Sequence, residues 1–263
     1  MARVSGLDHQ TMLDLAPPEF VAVAAGAGFD AVGLRIAPVS RGEQAWPAGL
    51  GSPMLAETMR RCGDTGLVVL DVEAIRLEPG PGPDGCESVL ETAAVLGARY
   101  LNVICADPDT GRFTDRLAEL VQLARPYRVR PVIEFMAWRP LRTLAGAVAI
   151  ATGSGGAGLL LDTLHIQRCG ATTEEIAAVD PALLGYVQLC DAPARPPGED
   201  AVTEARTMRL LPGEGELPLG EVLGVLPDSL PVAVEAPSLA ARRDLSPAEF
   251  ARRARQALEA VAG

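Results

Sequence analysis

Residues 158–165 read Gly-Leu-Leu-Leu-Asp-Thr-Leu-His, an apolar run that ends on a carboxylate, Asp162. The same form recurs on both sides of it. Pro131-Val-Ile runs into Glu134, Gly185-Tyr-Val into Gln188, and Pro231-Val-Ala-Val into Glu235. A run of three or four apolar residues is a strand buried on both faces, the type found in all-parallel sheets with helices on either side. Eight such runs are legible, at Val4–Leu7, Ala31–Ala37, Gly66–Leu77, Tyr100–Cys105, Pro131–Met136, Gly158–Leu164, Gly185–Leu189 and Pro231–Glu235. Their centres are spaced by about 33 residues, the length of a strand–helix unit.

The intervening segments read as helices over Pro17–Gly26, Met54–Gly63, Cys86–Leu96, Phe113–Ala124, Leu141–Thr152, Thr173–Val179 and Leu219–Leu226, with a last helix at Pro247–Val261. Thr173 and Ser246 are suited to N-caps, and Pro17 and Pro247 to a first helical turn. Ala192–Leu217, rich in Pro and Gly, reads as one extended loop. Eight units in 263 residues, with no composition break, predict a single (β/α)8 TIM barrel domain over residues 1–263.

Composition narrows the function. Net charge is −11, from 34 acidic and 23 basic residues, and every basic residue is Arg. An acidic chain is a poor partner for a phosphate backbone, so no nucleic-acid partner is expected. The opening MARVSGLDHQ lacks a signal peptide's basic and apolar regions, and no apolar stretch is long enough to span a bilayer. Five scattered cysteines without a CxxC pair suit reduced thiols, so a cytoplasmic location and no membrane partner are expected.

In a barrel of this kind the reacting groups sit at the C-terminal ends of the strands, above a packed apolar interior. Taken singly, Glu134, Asp162 and Glu235 read equally well as ordinary carboxylates at strand ends, solvated or paired with Arg. Taken together on neighbouring strands, they would repel one another unless a cation sits among them. Their oxygens, with the amide carbonyl of Gln188, form a hard donor set. That set favours one divalent metal ion, Mn or Mg over Zn.

The residues Glu134 in VIEFM, Asp162 in LLLDTLH, the YVQLCD strand and Glu235 in VAVEAP resemble the xylose isomerase-like barrels of the sugar phosphate isomerase/epimerase superfamily. In that family a Glu, an Asp, a His and a Glu bind one divalent metal, and this chain has Gln188 where the family usually has His. The DTxH pattern, Asp162-Thr-Leu-His165, implies that His165 contacts a substrate hydroxyl or carbonyl. The RxxPGxG loop, Arg209 to Gly215, implies that Arg209 reaches the substrate. The resemblance implies Glu134 and Glu235 as the acid/base pair of a sugar, sugar-phosphate or cyclitol isomerase or epimerase working through an enediolate held at the metal.

Two other roles stay open. The same enediolate would serve a dehydratase on an inosose- or dehydroshikimate-like ring. Loss of the family histidine at Gln188 would suit a carbohydrate-binding subunit without activity. An apurinic endonuclease of the same fold needs a histidine-rich zinc cluster, which two histidines cannot build. His9 at the end of the first strand, Glu73 on the third and Trp138 after Glu134 are further candidates for substrate contact. Against that, His9 reads as a hydrogen-bonded wall residue, Glu73 as part of a buried cluster with Arg35 and Asp71, and Trp138 as a loop anchor. The substrate class is a small carbohydrate-like molecule, and the family's dimers and tetramers imply a homo-oligomer.

Overall fold

The structure, a computed structural model, describes residues 3–39, 42–80, 83, 85–198 and 200–263. Ser40 and Arg41, within the Pro38–Pro53 loop after the second strand, lie outside the described residues, as does Glu199 in the Ala192–Leu217 segment.

Eight parallel strands close into a barrel in sequence order: β1 (Ser5–Leu7), β2 (Ala31–Arg35), β3 (Val68–Leu77), β4 (Tyr100–Cys105), β5 (Arg130–Glu134), β6 (Gly158–Asp162), β7 (Leu184–Leu189) and β8 (Val232–Val234). β8 pairs with β1, so no sheet edge remains. The helices are α1 (Pro17–Gly26), α2 (Pro53–Thr65), α3 (Cys86–Leu96), α4 (Thr110–Ala124), α5 (Leu144–Gly153), α6 (Thr163–Cys169), α7 (Thr173–Ala177), α8 (Ala201–Thr207), α9 (Leu219–Gly224), α10 (Leu239–Arg242) and α11 (Pro247–Ala262). No helix among the described residues is long and apolar enough to cross a membrane.

Two apolar layers hold the barrel. One packs the outer strand faces against the helices, through residues such as Phe20, Phe113, Leu159 and Phe250. The other fills the barrel itself with Ala31, Leu70, Val132, Leu160, Tyr186 and Ala233, all fully buried. This inner plug is the floor on which the polar residues at the strand ends stand.

Local chemistry explains where the sequence expectations moved. β6 ends at Asp162 rather than Leu164, because the Asp162 carboxylate accepts the His165 backbone N–H at 3.0 Å and starts α6 at Thr163. The cap of α7 is Thr172, not Thr173. Its hydroxyl accepts from Glu175 N–H while Glu175 reaches back to the Thr172 N–H, a reciprocal capping box. Ser246 caps α11 in the same manner, with Pro247 in the first turn. The Ala192–Leu217 segment is not loop throughout, since Asp200 caps a short helix, α8, inside it.

The RxxPGxG stretch is shaped around a buried carboxylate that the sequence did not single out. Asp191 accepts the backbone N–H groups of Ala192, Gly213 and Leu217 at 2.8–3.0 Å. Gly213 is left-handed at φ 85°, a region open to glycine, and a Cβ on Gly215 would strike Asp191 and the Ala192 backbone. This fixes the segment on which Arg209 re-enters the barrel.

Gly33 on β2 has a comparable task inside the barrel, where an added Cβ would collide with the carboxylates of Asp8 and Asp71. Gly33→Ala is therefore expected to destabilise the fold by about 1–3 kcal/mol in denaturant titrations. Gly26→Ala, at a helix end with nothing within 4 Å, should stay within about 1 kcal/mol of wild type. Equal stabilities for the two variants would refute this account of Gly33.

Candidate active site at the barrel mouth

Six carboxylates converge at the C-terminal ends of the strands: Asp8, Asp71, Glu73, Glu134, Asp162 and Glu235, none more than 5% exposed. Two buried guanidinium groups face them. Arg35 binds Glu73 at 2.9 Å and Glu43 at 2.8 Å. Arg209, only 1% exposed, reaches Asp162 at 2.5 Å and Glu235 at 2.9 Å. It also donates to the Glu235 carbonyl at 3.2 Å and, through Nε, to the Ala205 carbonyl at 2.7 Å.

The titration of these groups follows from that imbalance. Burial, then the neighbouring charges of Asp162 and Glu235, pushes Glu134 well above the usual carboxylate range. Burial pushes Glu235 up to about 8, against the lowering pull of Arg209. Asp8 and Asp71 are raised by burial and by the carboxylates beside them. Asp162 alone goes the other way: burial opposes it, but Arg209, His165 and the His165 N–H hold it below its ordinary value.

Of the residues expected at the site, Glu134, Asp162 and His165 come together most closely. One donor atom from each lies within 4.8 Å of the others, and His165 Nε2 is 3.2 Å from Glu134. Burial drives the His165 ring down to about 4, so it is neutral, and its Nδ1 has no hydrogen-bond partner. The Trp138 ring meets His165 edge-on at 4.9 Å, bracing it from the cleft wall. Glu235 stands across Arg209 from Asp162. Gln188 donates its Nε2 to Asp8 at 2.8 Å and to Glu235 at 3.0 Å, while its Oε1 is buried without a partner.

His9 and Glu73 make the structural contacts that the sequence also offered, and Arg209 is held by protein groups. His9 is fully buried, accepts the Arg35 N–H at Nδ1, bonds the Leu15 carbonyl through Nε2 at 2.9 Å and stacks on Phe20. No ring nitrogen is left for a ligand. Glu73 uses one oxygen on the His9 N–H and the other on Arg35, so it anchors β1 to β2 and β3. Asp71 joins the buried cluster expected of it, one donor atom lying within 4.8 Å of donor atoms of Glu73 and Asp8, with the Tyr186 hydroxyl beside it. Arg209 lines the cleft but spends its guanidinium on protein acceptors.

Sequence reasoning passed over Asp8, Asn102 and Arg139. Asp8 directly precedes His9 and could have been found by extending the strand-end pattern to β1. Asn102 sits mid-strand on β4 facing Glu134, and Arg139 follows Trp138 in the loop after β5; neither carries a motif. The resulting cleft has Glu134, His165, Trp138 and Glu235 among its walls.

Residues 21–260 match the xylose isomerase-like TIM barrel family. No protein of curated function matches the chain in sequence. Among solved structures, a xylose isomerase-like TIM barrel/4-hydroxyphenylpyruvate dioxygenase fusion protein superposes with TM-score 0.82 at 20% identity; the match covers 98% of this chain and 42% of that one. The chain thus spans less than half the length of that relative. The IolI protein with a bound zinc atom gives TM-score 0.78 at 19% identity, over 100% of this chain and 98% of the other. D-psicose 3-epimerase, crystallised in the presence of D-fructose, gives 0.71 at 18% identity, over 98% and 97%.

His9 also makes stability depend on pH. Burial lowers its folded pKa to about 4, so the unfolded chain binds the extra proton between pH 6.5 and 4. This contribution is complete above pH 6.5 and is lost as pH falls toward 4, by about 3 kcal/mol in all. In paired denaturant titrations, the stability advantage of wild type over His9→Phe should shrink by about that amount from pH 7 to 4. A constant difference would mean the ring is charged in the folded protein.

Proposed function

The chain belongs to the xylose isomerase-like TIM barrel family, and from that premise we propose that it is a divalent-metal-dependent enzyme moving a proton beside a carbonyl of a small hydroxylated substrate. The observation that carries this is the convergence of Glu134, Asp162 and Glu235 on the apolar floor, with two of the three carboxylates pushed up in pKa. A carboxylate poised well above its ordinary range is suited to take and return a proton near neutral pH. The enzyme reads as a sugar, sugar-phosphate or cyclitol isomerase or epimerase, with Glu134 and Glu235 as the acid/base pair.

The donor set fits a cation. Glu134, Asp162 and the neutral imidazole of His165 bring donor atoms within 4.8 Å of one another, and the Oε1 of Gln188 is buried without a partner. Glu134, Asp162, Gln188 and Glu235 are the residues that would hold it, and Mn or Mg suits the oxygens better than Zn. When bound, such an ion acts as a Lewis acid on a substrate carbonyl and its neighbouring hydroxyl.

The chain's own residues do the remaining work. Glu134 holds or releases a proton at Oε1 beside the His165 Nε2. Glu235 is kept in place by Arg209 and by the Gln188 amide. Trp138, Met136 and Ile104 give the cleft apolar walls that exclude water.

A second reading is favoured by the asymmetry of the two glutamates. Glu235 is tied to Arg209 and Gln188, while Glu134 and His165 form a separate pair whose Nδ1 is unbonded. One-sided acid/base chemistry of this kind suits elimination of a β-hydroxyl, a dehydratase reaction, because the proton is taken and the hydroxyl protonated from the same side.

Solvent-deuterium exchange separates these outcomes. Glu134→Gln and Glu235→Gln should each slow exchange into substrate by about 100-fold or more. Exchange by both at the wild-type rate would overturn the acid/base assignment. Exchange without loss of water supports the isomerase or epimerase, and release of an unsaturated product supports the dehydratase. For the metal, titration calorimetry with Mn²⁺ should show about one site per chain, weakened in Glu134→Gln by about tenfold or more. Gln188→His should tighten Zn²⁺ binding. Unchanged metal affinity in both variants would remove these residues from the ligand set.

A further inference from the structure

The charge balance at the rim of the cleft is the reverse of that at its floor. Arg139, in the loop after β5, and Arg206, on α8, both line the cleft. Arg76, at the end of β3, is bonded to Glu78 at 2.6 Å. Arg139 makes no ion pair among the described residues, and its Nε is buried without a hydrogen-bond partner. Burial, together with the charges of Arg76 and Arg206, pulls its guanidinium below the ordinary range, against the opposing pull of Glu78 and Glu134. Those two carboxylates do not offset the burial and the two neighbouring guanidinium groups, and a bound anion at the rim would.

The rim arginines come from β3, the loop after β5 and α8, in a chain whose net charge is −11. Local positive potential at the mouth of an acidic protein selects anions from solution and steers them toward the cleft. The guanidinium fork matches the oxygens of a carboxylate or a phosphate.

We propose that Arg139, flanked by Arg206, is the anion-binding subsite of this cleft, and that the substrate is a polyhydroxylated molecule carrying a carboxylate or phosphate rather than a neutral sugar. The subsite holds the charged end of the substrate at the rim, and the carbonyl end then lies toward Glu134 and His165. This rests on the proton-transfer reading of the same cleft for its orientation, but not for the binding itself.

The test is calorimetric titration of the whole chain with three matched polyols: D-gluconate, sorbitol phosphate and neutral sorbitol. At low ionic strength at least one anion should bind about tenfold or more tightly than sorbitol. That preference should shrink as salt is raised, be lost in Arg139→Ala and be partly kept in Arg139→Lys. Thermal melting checks that Arg139→Ala still folds. The stronger anion identifies the group, a carboxylic acid or a phosphate ester. Failure of either anion to bind better than sorbitol, or a preference that survives Arg139→Ala, overturns the subsite. Glu134→Gln should keep the anion preference while losing deuterium exchange. An intact preference in a wild type that exchanges with no substrate would instead sink the function and leave the subsite standing.

Discussion

Six carboxylates and two guanidinium groups are buried together at the barrel mouth, and its geometry follows from that imbalance. Arg209 is the central group. Its guanidinium bridges Asp162 on β6 and Glu235 after β8, joining strands on either side of β7. Removing one partner from such a buried pair typically costs about 3–5 kcal/mol, because the remaining charge has no water to turn to. Arg35 does the same between Glu73 and Glu43 on the opposite side. What these two cations leave uncompensated shows in the raised pKa values of Asp8, Asp71, Glu134 and Glu235.

Side chains near the site carry more than one task. Asp162 caps α6 with one oxygen and binds Arg209 with the other, so the start of that helix and the position of His165 are set by the residue the chemistry needs. Gly33 leaves out a side chain so that Asp8 and Asp71 can sit within the barrel. Asp191 binds three backbone N–H groups and thereby places the loop that brings in Arg209. Within the long segment between β7 and β8, the Glu204 carboxylate is also tied to Arg168 at 2.7 Å, and α8 brings Arg206 to the rim.

The two ends of the cleft differ in sign. Its floor is rich in carboxylates and suits a cation and a proton; its rim is rich in arginine and suits an anion. A substrate with a carbonyl at one end and an acid at the other would match both ends at once. Charge of this kind adds orientation as well as affinity, since only one direction of entry pairs each end with its complement.

The barrel itself was legible in the sequence. Apolar runs at a spacing of about 33 residues report strands buried on both faces, and that pattern depends only on burial and period. The strand-end positions of Glu134, Asp162, Gln188 and Glu235 were legible for the same reason, because a polar residue after an apolar run marks where the strand leaves the floor. Which side chains pair was decided by tertiary structure. His9 could be read from sequence as a wall residue or a substrate contact, and its ring is consumed by Leu15, Arg35 and Phe20; Arg209, expected to reach a ligand, is held by Asp162 and Glu235. Hydrogen bonds between residues 26 to 47 positions apart leave no trace in local pattern, since period and propensity describe a residue's neighbours along the chain. The direction of a side chain at a crowded mouth is set instead by charges arriving from other strands.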